Sequence, residues 1–166
     1  MRGAEVPGMV RWSDGLYGGL IAGCVSALFY TVVAVVWTHE TTLAGFFAQP
    51  AQALPPFRGA SASAPLAALG FVLYLLTAAA LGVAYALLAR RLRSMWQAPT
   101  SVLWGISYGL VVWWLLNDVL VPATGAVNVQ PLWQGLVGTV LFYGVVLSEL
   151  TTVAHRRAAG ALEAAP

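Results

Sequence analysis

Two carboxylates stand inside long apolar runs, and they are the side chains here with the most chemistry to offer. Glu149 lies within the run from Leu132 to Ala154, and Asp118 comes near the end of the run from Val102 to Val121. Burying an ionisable group at mid-membrane is unfavourable by at least about 2.5–3.5 kcal/mol, so such a residue in a span is a functional signal by default. Glu149 has Ser148, Thr151 and Thr152 beside it, and Arg156 follows two helical turns later on the same face. It reads either as a proton or cation relay or as a carboxylate that reaches the interface and pairs with a basic residue there. Asp118 follows Asn117 and precedes Pro122 by one turn. It is either a second member of that relay or a hydrated helix end. Asp14, with Ser13, stands where the first apolar run begins and reads as a helix cap.

The remaining reactive residues narrow the chemistry. His39 and His155 end the first and fourth apolar runs, a membrane thickness apart, and cannot share a haem iron or a metal ion. The chain by itself therefore builds no haem site, and a pigment or haem would have to be shared with a partner chain. His155 is either a one-sided ligand for such a group or an ordinary interfacial residue beside Arg156 and Arg157. Trp12, Trp37, Trp96, Trp104 and Trp133 fall near the expected interfaces, as aromatic belts do, whereas Trp113 and Trp114 sit at mid-depth. That pair can stack on a flat cofactor, fill a groove on a partner protein, or pack within the bundle. The single cysteine, Cys24, excludes a disulfide framework, a CxxC redox site and a cysteine zinc site. No phosphate-binding glycine loop, zinc-protease helix, nucleophile elbow or metal-holding acid cluster occurs, so neither an enzyme nor a metal site is expected.

The elements that must position these groups follow from composition. Of 166 residues, 60% are hydrophobic and 8% charged, with a mean hydropathy of +0.79. A soluble domain carries about a quarter charged residues, so the expected solvent is the lipid bilayer. The eight basic residues, all arginine, against six acids give no basic face, which argues against nucleic acid as a partner. A bilayer core about 30 Å thick needs roughly 20 apolar residues of helix, and four stretches supply them, over residues 16–38, 65–89, 102–121 and 132–154. Backbone groups in lipid must bond within their own segment. The sequence thus predicts an all-α integral membrane four-helix bundle over residues 1–157, with a flexible tail at 158–166. Arg2, Arg11, Arg90, Arg91, Arg93, Arg156 and Arg157 all fall on one side, leaving Arg58 on the other, and the positive-inside rule then puts both termini in the cytoplasm. The first run exceeds the 7–15 residues, roughly, of a signal-peptide core, and is read as a retained helix.

The connections carry less. Leu43, Phe46, Phe47, Ala51 and Leu54 recur at helical spacing and predict an interfacial segment over residues 43–54 in the long outer loop. Gly15, Gly19 and Gly23 recur every fourth residue, and Gly105 and Gly109 repeat the spacing in the third span. Such stripes let helix backbones approach closely, either inside the bundle or against an oligomer or partner chain. Setting Gly70 against Gly138 matches GFVLYL to GTVLFY, which suggests a 2+2 helix repeat.

Three stretches resemble a group of uncharacterised four-helix bacterial inner-membrane proteins, the YagU-like kind. They are GLYGGLIAGCVSALF in the first span, APLAALGFVLYLLTAAALGVAYALLARRL in the second, and GISYGLVVWWLLNDVLVPATGA in the third, with Tyr108-Gly109, Asn117 and Val121-Pro122 at the family's marked positions. The resemblance implies the four-helix fold and the bacterial inner membrane, and it implies no established activity. Two functions are expected from the residues. One is a non-catalytic accessory subunit that docks on a larger respiratory or photosynthetic membrane complex, or on itself, through the glycine stripes and Trp113 and Trp114. The other is a small proton- or cation-coupled transporter or channel using Glu149 with Asp118.

Overall fold

The computed structural model describes residues 10–39, 41–97, 100–124 and 132–163. Among the described residues, four helices are long and apolar enough to cross a membrane, as in a multi-pass membrane protein: α1 (Trp12–Trp37), α3 (Ala64–Arg91), α4 (Thr100–Leu120) and α5 (Leu132–Ala158). A shorter helix, α2 (Leu43–Gln52), stands in the loop between α1 and α3. No strand occurs among the described residues. One end of the bundle carries Arg11, Arg90, Arg91, Arg156 and Arg157 and is called here the arginine end; His39 and Arg58 lie towards the other.

Helix boundaries follow local chemistry. α1 begins at Trp12, and the Asp14 carboxylate accepts the Arg11 backbone N–H at 2.7 Å. Asp14 thus caps from the third helical position, leaving the N-cap position itself to Arg11. Past α1 the chain reverses at His39, which takes a left-handed conformation (φ 54°). Thr42 then starts α2, its hydroxyl accepting the Gly45 N–H. At the far end, α5 runs on as regular helix to Glu163, so the segment whose composition reads as a tail is helical through that residue.

Packing is set by small residues. α1 and α3 run antiparallel in backbone contact. Gly82 of α3 sits against the Gly15 carbonyl and the Gly19 Cα, and a Cβ on Gly19 would lie 2.5 Å from the Ala78 carbonyl oxygen. α4 and α5 meet in the same way: Gly144 sits against the Gly105 carbonyl and the Gly109 backbone. Gly70 and Gly138, which the sequence match superposes, have unlike neighbours, the Phe47 carbonyl and the Tyr30 ring respectively.

α5 is the hub. It touches α4 along the glycine contact, α1 through Gly18 and Ser26, and α3 through Tyr143. Its middle, Gly138–Val145, is π-helical and buries Gly138, Thr139, Val140, Tyr143 and Gly144. A widened turn shifts the phase of the helix face, and here that lets consecutive residues serve three neighbours. α3 and α4 are bridged by side chains, with the Tyr108 hydroxyl donating to the Leu81 carbonyl at 2.6 Å and the Tyr85 and Tyr108 rings edge-on at 5.0 Å. The segment expected in the outer interface is the helix α2, folded onto the bundle. Ala48 and Ala51 are buried with Leu66, Phe47 meets Phe71 edge-on, and Phe46 packs with Tyr30.

Candidate functional site

The glycines singled out from sequence are packing residues within this chain. Gly15, Gly19 and Gly23 face Ala78, Ala86 and Gly82 of α3, while Gly105 and Gly109 face Ser148, Gly144 and Val140 of α5. Every position that these contacts occupy is closed to an outside helix.

Glu149 sits where α5 passes the start of α4. The Ser101 hydroxyl, in the second residue of α4, donates to Glu149 Oε1 at 2.9 Å. Ser101 is buried, whereas the Glu149 side chain is exposed at the bundle surface. The carboxylate is therefore level with the first turn of α4, where the helix dipole favours an anion, while the Ser101 N–H itself donates to the Gln97 carbonyl. Behind it lie the buried hydroxyls of Ser148, Thr151 and Thr152. Each donates to its own helix: Ser148 to Val145 O, Thr151 to Leu147 O and Ser148 O, and Thr152 to Ser148 O. Tyr85 of α3 is fully buried opposite them, among Ala89, Met95 and Leu147. Its hydroxyl lacks a hydrogen-bond partner.

The other candidates do not converge on this place. Asp118 is exposed in the π-helical end of α4 (Leu115–Leu120), about 25 Å along the helix from Ser101. It cannot share a proton or an ion directly with Glu149. Trp113 and Trp114 point in different directions: the Trp113 indole lies against Gly135 of α5 with its Nε1 buried, whereas Trp114 is 54% exposed on the outer face. His155 lies six residues beyond Glu149 on α5, far from both tryptophans, so the three residues weighed as cofactor contacts form no common pocket. Among the described residues, no group of three or more His, Cys, Asp or Glu could hold a metal ion.

Sequence reasoning missed the tyrosines. Tyr30 donates to Gly135 O at 3.0 Å and exchanges a hydrogen bond with Thr139 Oγ1, while Ser26 donates to Gly138 O. Tyr74 donates to Gly23 O, and Tyr143 donates to Ala78 O at 2.7 Å. Helix carbonyls carry a second lone pair, so each of these hydroxyls ties one helix to the backbone of another. The signal was present as tyrosine at mid-span, a depth at which interfacial anchoring does not explain it. Gln134 was missed as well: it is fully buried one turn before Gly138, and neither Nε2 nor Oε1 has a partner. Compared with known proteins, the chain matches no family model, and no curated protein or solved structure is similar to it.

Proposed function

We propose that this chain is a non-catalytic subunit of a larger bacterial inner-membrane complex, with both termini in the cytoplasm. The observation that carries the reading is the contrast between α5 and α4. In their most apolar stretches, α5 buries 50% of its residues inside the bundle and α4 only 17%. α4 presents Leu103, Val111 and Trp114 outward on one helical face, a broad apolar surface for a helix of a partner subunit. The interior, closed by backbone contact between glycines, leaves the outer faces for recognition. The distribution of arginine supports the orientation, and the resemblance to YagU-like proteins supports the inner membrane. The test is extraction in mild detergent, sizing, and an absorption spectrum of the same peak. A large peak with co-migrating proteins that Trp114→Ala releases, without altering thermal unfolding of the isolated bundle, is the expected result. A colourless monomer unaffected by Trp114→Ala sinks the proposal.

A second reading, a small proton- or cation-coupled carrier, is favoured by one observation, the hydrogen bond from buried Ser101 to Glu149 beside the hydroxyls of Ser148, Thr151 and Thr152. It expects Glu149→Gln to abolish flux in proteoliposomes, and undiminished flux disposes of it.

A further inference from the structure

Among the described residues, Arg58 is the only arginine away from the arginine end, and a well-defined turn holds it there. The Ala60 N–H donates to Phe57 O at 3.1 Å, with Arg58 at φ −60°, ψ 127° and Gly59 at φ 75°. This is a type II turn, whose third residue needs the positive φ that glycine supplies. The Gln52 amide donates to Ala60 O at 2.8 Å and ties the turn to the last residue of α2. Arg58 is exposed at the tip.

Beside the turn lies a groove of about 350 Å³. Ala60, Ser61 and Ser63 line it ahead of α3, while Leu66 and Leu69 of α3 and Phe57 supply its apolar wall. The depth of these residues follows from the length of the helix. The 28 residues of α3 extend about 42 Å, which carries the helix through the headgroup layers, about 40–45 Å in all, as well as the hydrocarbon core of about 30 Å. Ser61 and Ser63 therefore stand among headgroups, and Leu69, about 7 Å below Ala64, stands where the hydrocarbon begins.

We propose that this groove binds an anionic phospholipid of the leaflet opposite the arginine end. Its phosphate meets Arg58 beside Ser61 and Ser63, and the start of an acyl chain lies against Phe57, Leu66 and Leu69. A guanidinium forms paired, charge-assisted bonds to phosphate oxygens, and its five N–H groups leave donors over from any bond made within the chain. The groove changes from charged to hydroxyl to apolar in the order in which a phospholipid changes with depth. A free phosphate ion would leave the apolar wall uncovered, and an apolar helix of another chain would leave the arginine without a counterion. The site requires neither the outer face of α4 nor Glu149, so it stands apart from both readings of function.

A second groove, of about 400 Å³, runs between α2 and α3 and reaches the same depth at Ala68 and Phe71, with no polar side chain in its lining. It serves as the internal control. The experiment places the full chain in phosphatidylcholine nanodiscs doped with a photoactivatable probe, either phosphatidylglycerol or diacylglycerol, carrying a diazirine near the start of one acyl chain. Adducts are mapped residue by residue by mass spectrometry. Phosphatidylglycerol is expected to label Phe57 and Leu69 several-fold more than Ala68 and Phe71, whereas diacylglycerol labels the two grooves alike. Arg58→Gln should abolish the excess and Arg58→Lys should keep part of it, with labelling of Ala68 and Phe71 unchanged. Equal labelling of the grooves by phosphatidylglycerol overturns the proposal, as does an excess that survives Arg58→Gln. Leu69 labelled less than Ala68 by both probes means that a protein surface covers the groove, and it also overturns the proposal. The comparison of the two probes needs no variant, so it decides even if Arg58→Gln disturbs the turn.

Discussion

The bundle contains the same helix contact twice, drier in one copy, where Tyr74 donates to Gly23 O and Arg90 to Val10 O, and more polar in the other. In α1–α3, Gly82 fills the notch between Gly15 and Gly19; in α4–α5, Gly144 fills the notch between Gly105 and Gly109. Counting from these glycines aligns the two pairs position by position. Where α5 has Ser148, Glu149 and Thr151, α3 has Ala86, Leu87 and Ala89; where α4 has Trp113, α1 has Gly23. Leu87 is exposed, as Glu149 is, and Ala86 and Ala89 are buried, as Ser148 and Thr151 are. The burial pattern is thus shared while the polarity differs. Close backbone approach is satisfied by small residues of either kind, so hydroxyls and a carboxylate add nothing that this contact requires. Under the carrier reading, their concentration in α4–α5 would put the chemistry in that pair.

The largest effects are expected at the notches themselves. Gly82→Val and Gly144→Val each push a side chain into a facing backbone, which cannot rotate away as a side-chain end can. Overpacking typically costs about 1–3 kcal/mol and occasionally more, and both variants belong at or above the top of that range. Unfolding in detergent, followed by circular dichroism during a denaturant titration, measures it. Gly18→Ala refines the point, because the new Cβ meets the Leu147 Cδ1 atom at 3.1 Å, the flexible end of a side chain. It is expected to change stability less than Gly19→Ala, which is expected to cost about 1–3 kcal/mol. Equal effects at Gly18 and Gly19 break the claim that backbone contact, rather than glycine content, holds the pair.

Next in size is Gln134, which belongs to the polar pair. Its counterpart by the same count is Val72 of α3, an exposed apolar residue. A buried amide with neither end bonded carries a desolvation penalty of about 1–3 kcal/mol. Gln134→Leu is therefore expected to stabilise the bundle by about 1 kcal/mol or more, seen as a higher unfolding midpoint. A lower midpoint means that a group outside the described residues bonds the amide in the native protein.

How far the sequence anticipates this arrangement depends on the kind of information involved. Hydropathy and arginine placement locate all four spans within a few residues of Trp12–Trp37, Ala64–Arg91, Thr100–Leu120 and Leu132–Ala158, because lipid imposes one secondary structure on any long apolar run. Helical period also finds α2, since Leu43, Phe46 and Phe47 share a face with Ala51. Which surface that face meets depends on Gly70, whose missing Cβ admits the Phe47 backbone, and spacing within α2 says nothing of it. The glycine stripes likewise announce close contact without naming the opposing helix. Glu149 is visible as an acid in a span, yet its depth is set by Ser101, a residue 48 positions away. Tyr85 is hardest to foresee: an orphaned hydroxyl is defined by what three other helices fail to offer it.

Single hydrogen bonds between helices rank below the packing terms. Side-chain hydrogen bonds within membrane bundles average about 0.6 kcal/mol, with a maximum near ~1.7. Tyr143→Phe removes the 2.7 Å bond to Ala78 O between the polar and dry pairs, and Ser26→Ala removes the 2.9 Å bond to Gly138 O. Each is expected to lower stability by about 0.6 kcal/mol, and the two should add, since they lie on different helix contacts. A coupling energy well above about 0.5 kcal/mol in the double-mutant cycle would mean that the π-helical middle of α5 transmits strain between α1 and α3.

The smallest stability effect is expected at the residue with the most chemical promise. Glu149→Gln keeps an oxygen to accept the Ser101 hydrogen and removes a charge from an exposed position at the start of α4. Surface changes of this kind stay within about ±0.5 kcal/mol, so the unfolding midpoint should hardly move. Ser101→Ala should be equally mild, because the exposed Glu149 can turn to solvent. This near-silence in stability is what makes the pair informative. If both variants unfold like the parent while proton or cation flux disappears in Glu149→Gln, the carboxylate serves transport and not architecture. If Glu149→Gln instead lowers the midpoint by well over about 1 kcal/mol, the carboxylate is a structural anchor of α4. The polarity of the α4–α5 pair would then be a matter of helix docking, and the difference from the dry pair would lose its functional meaning.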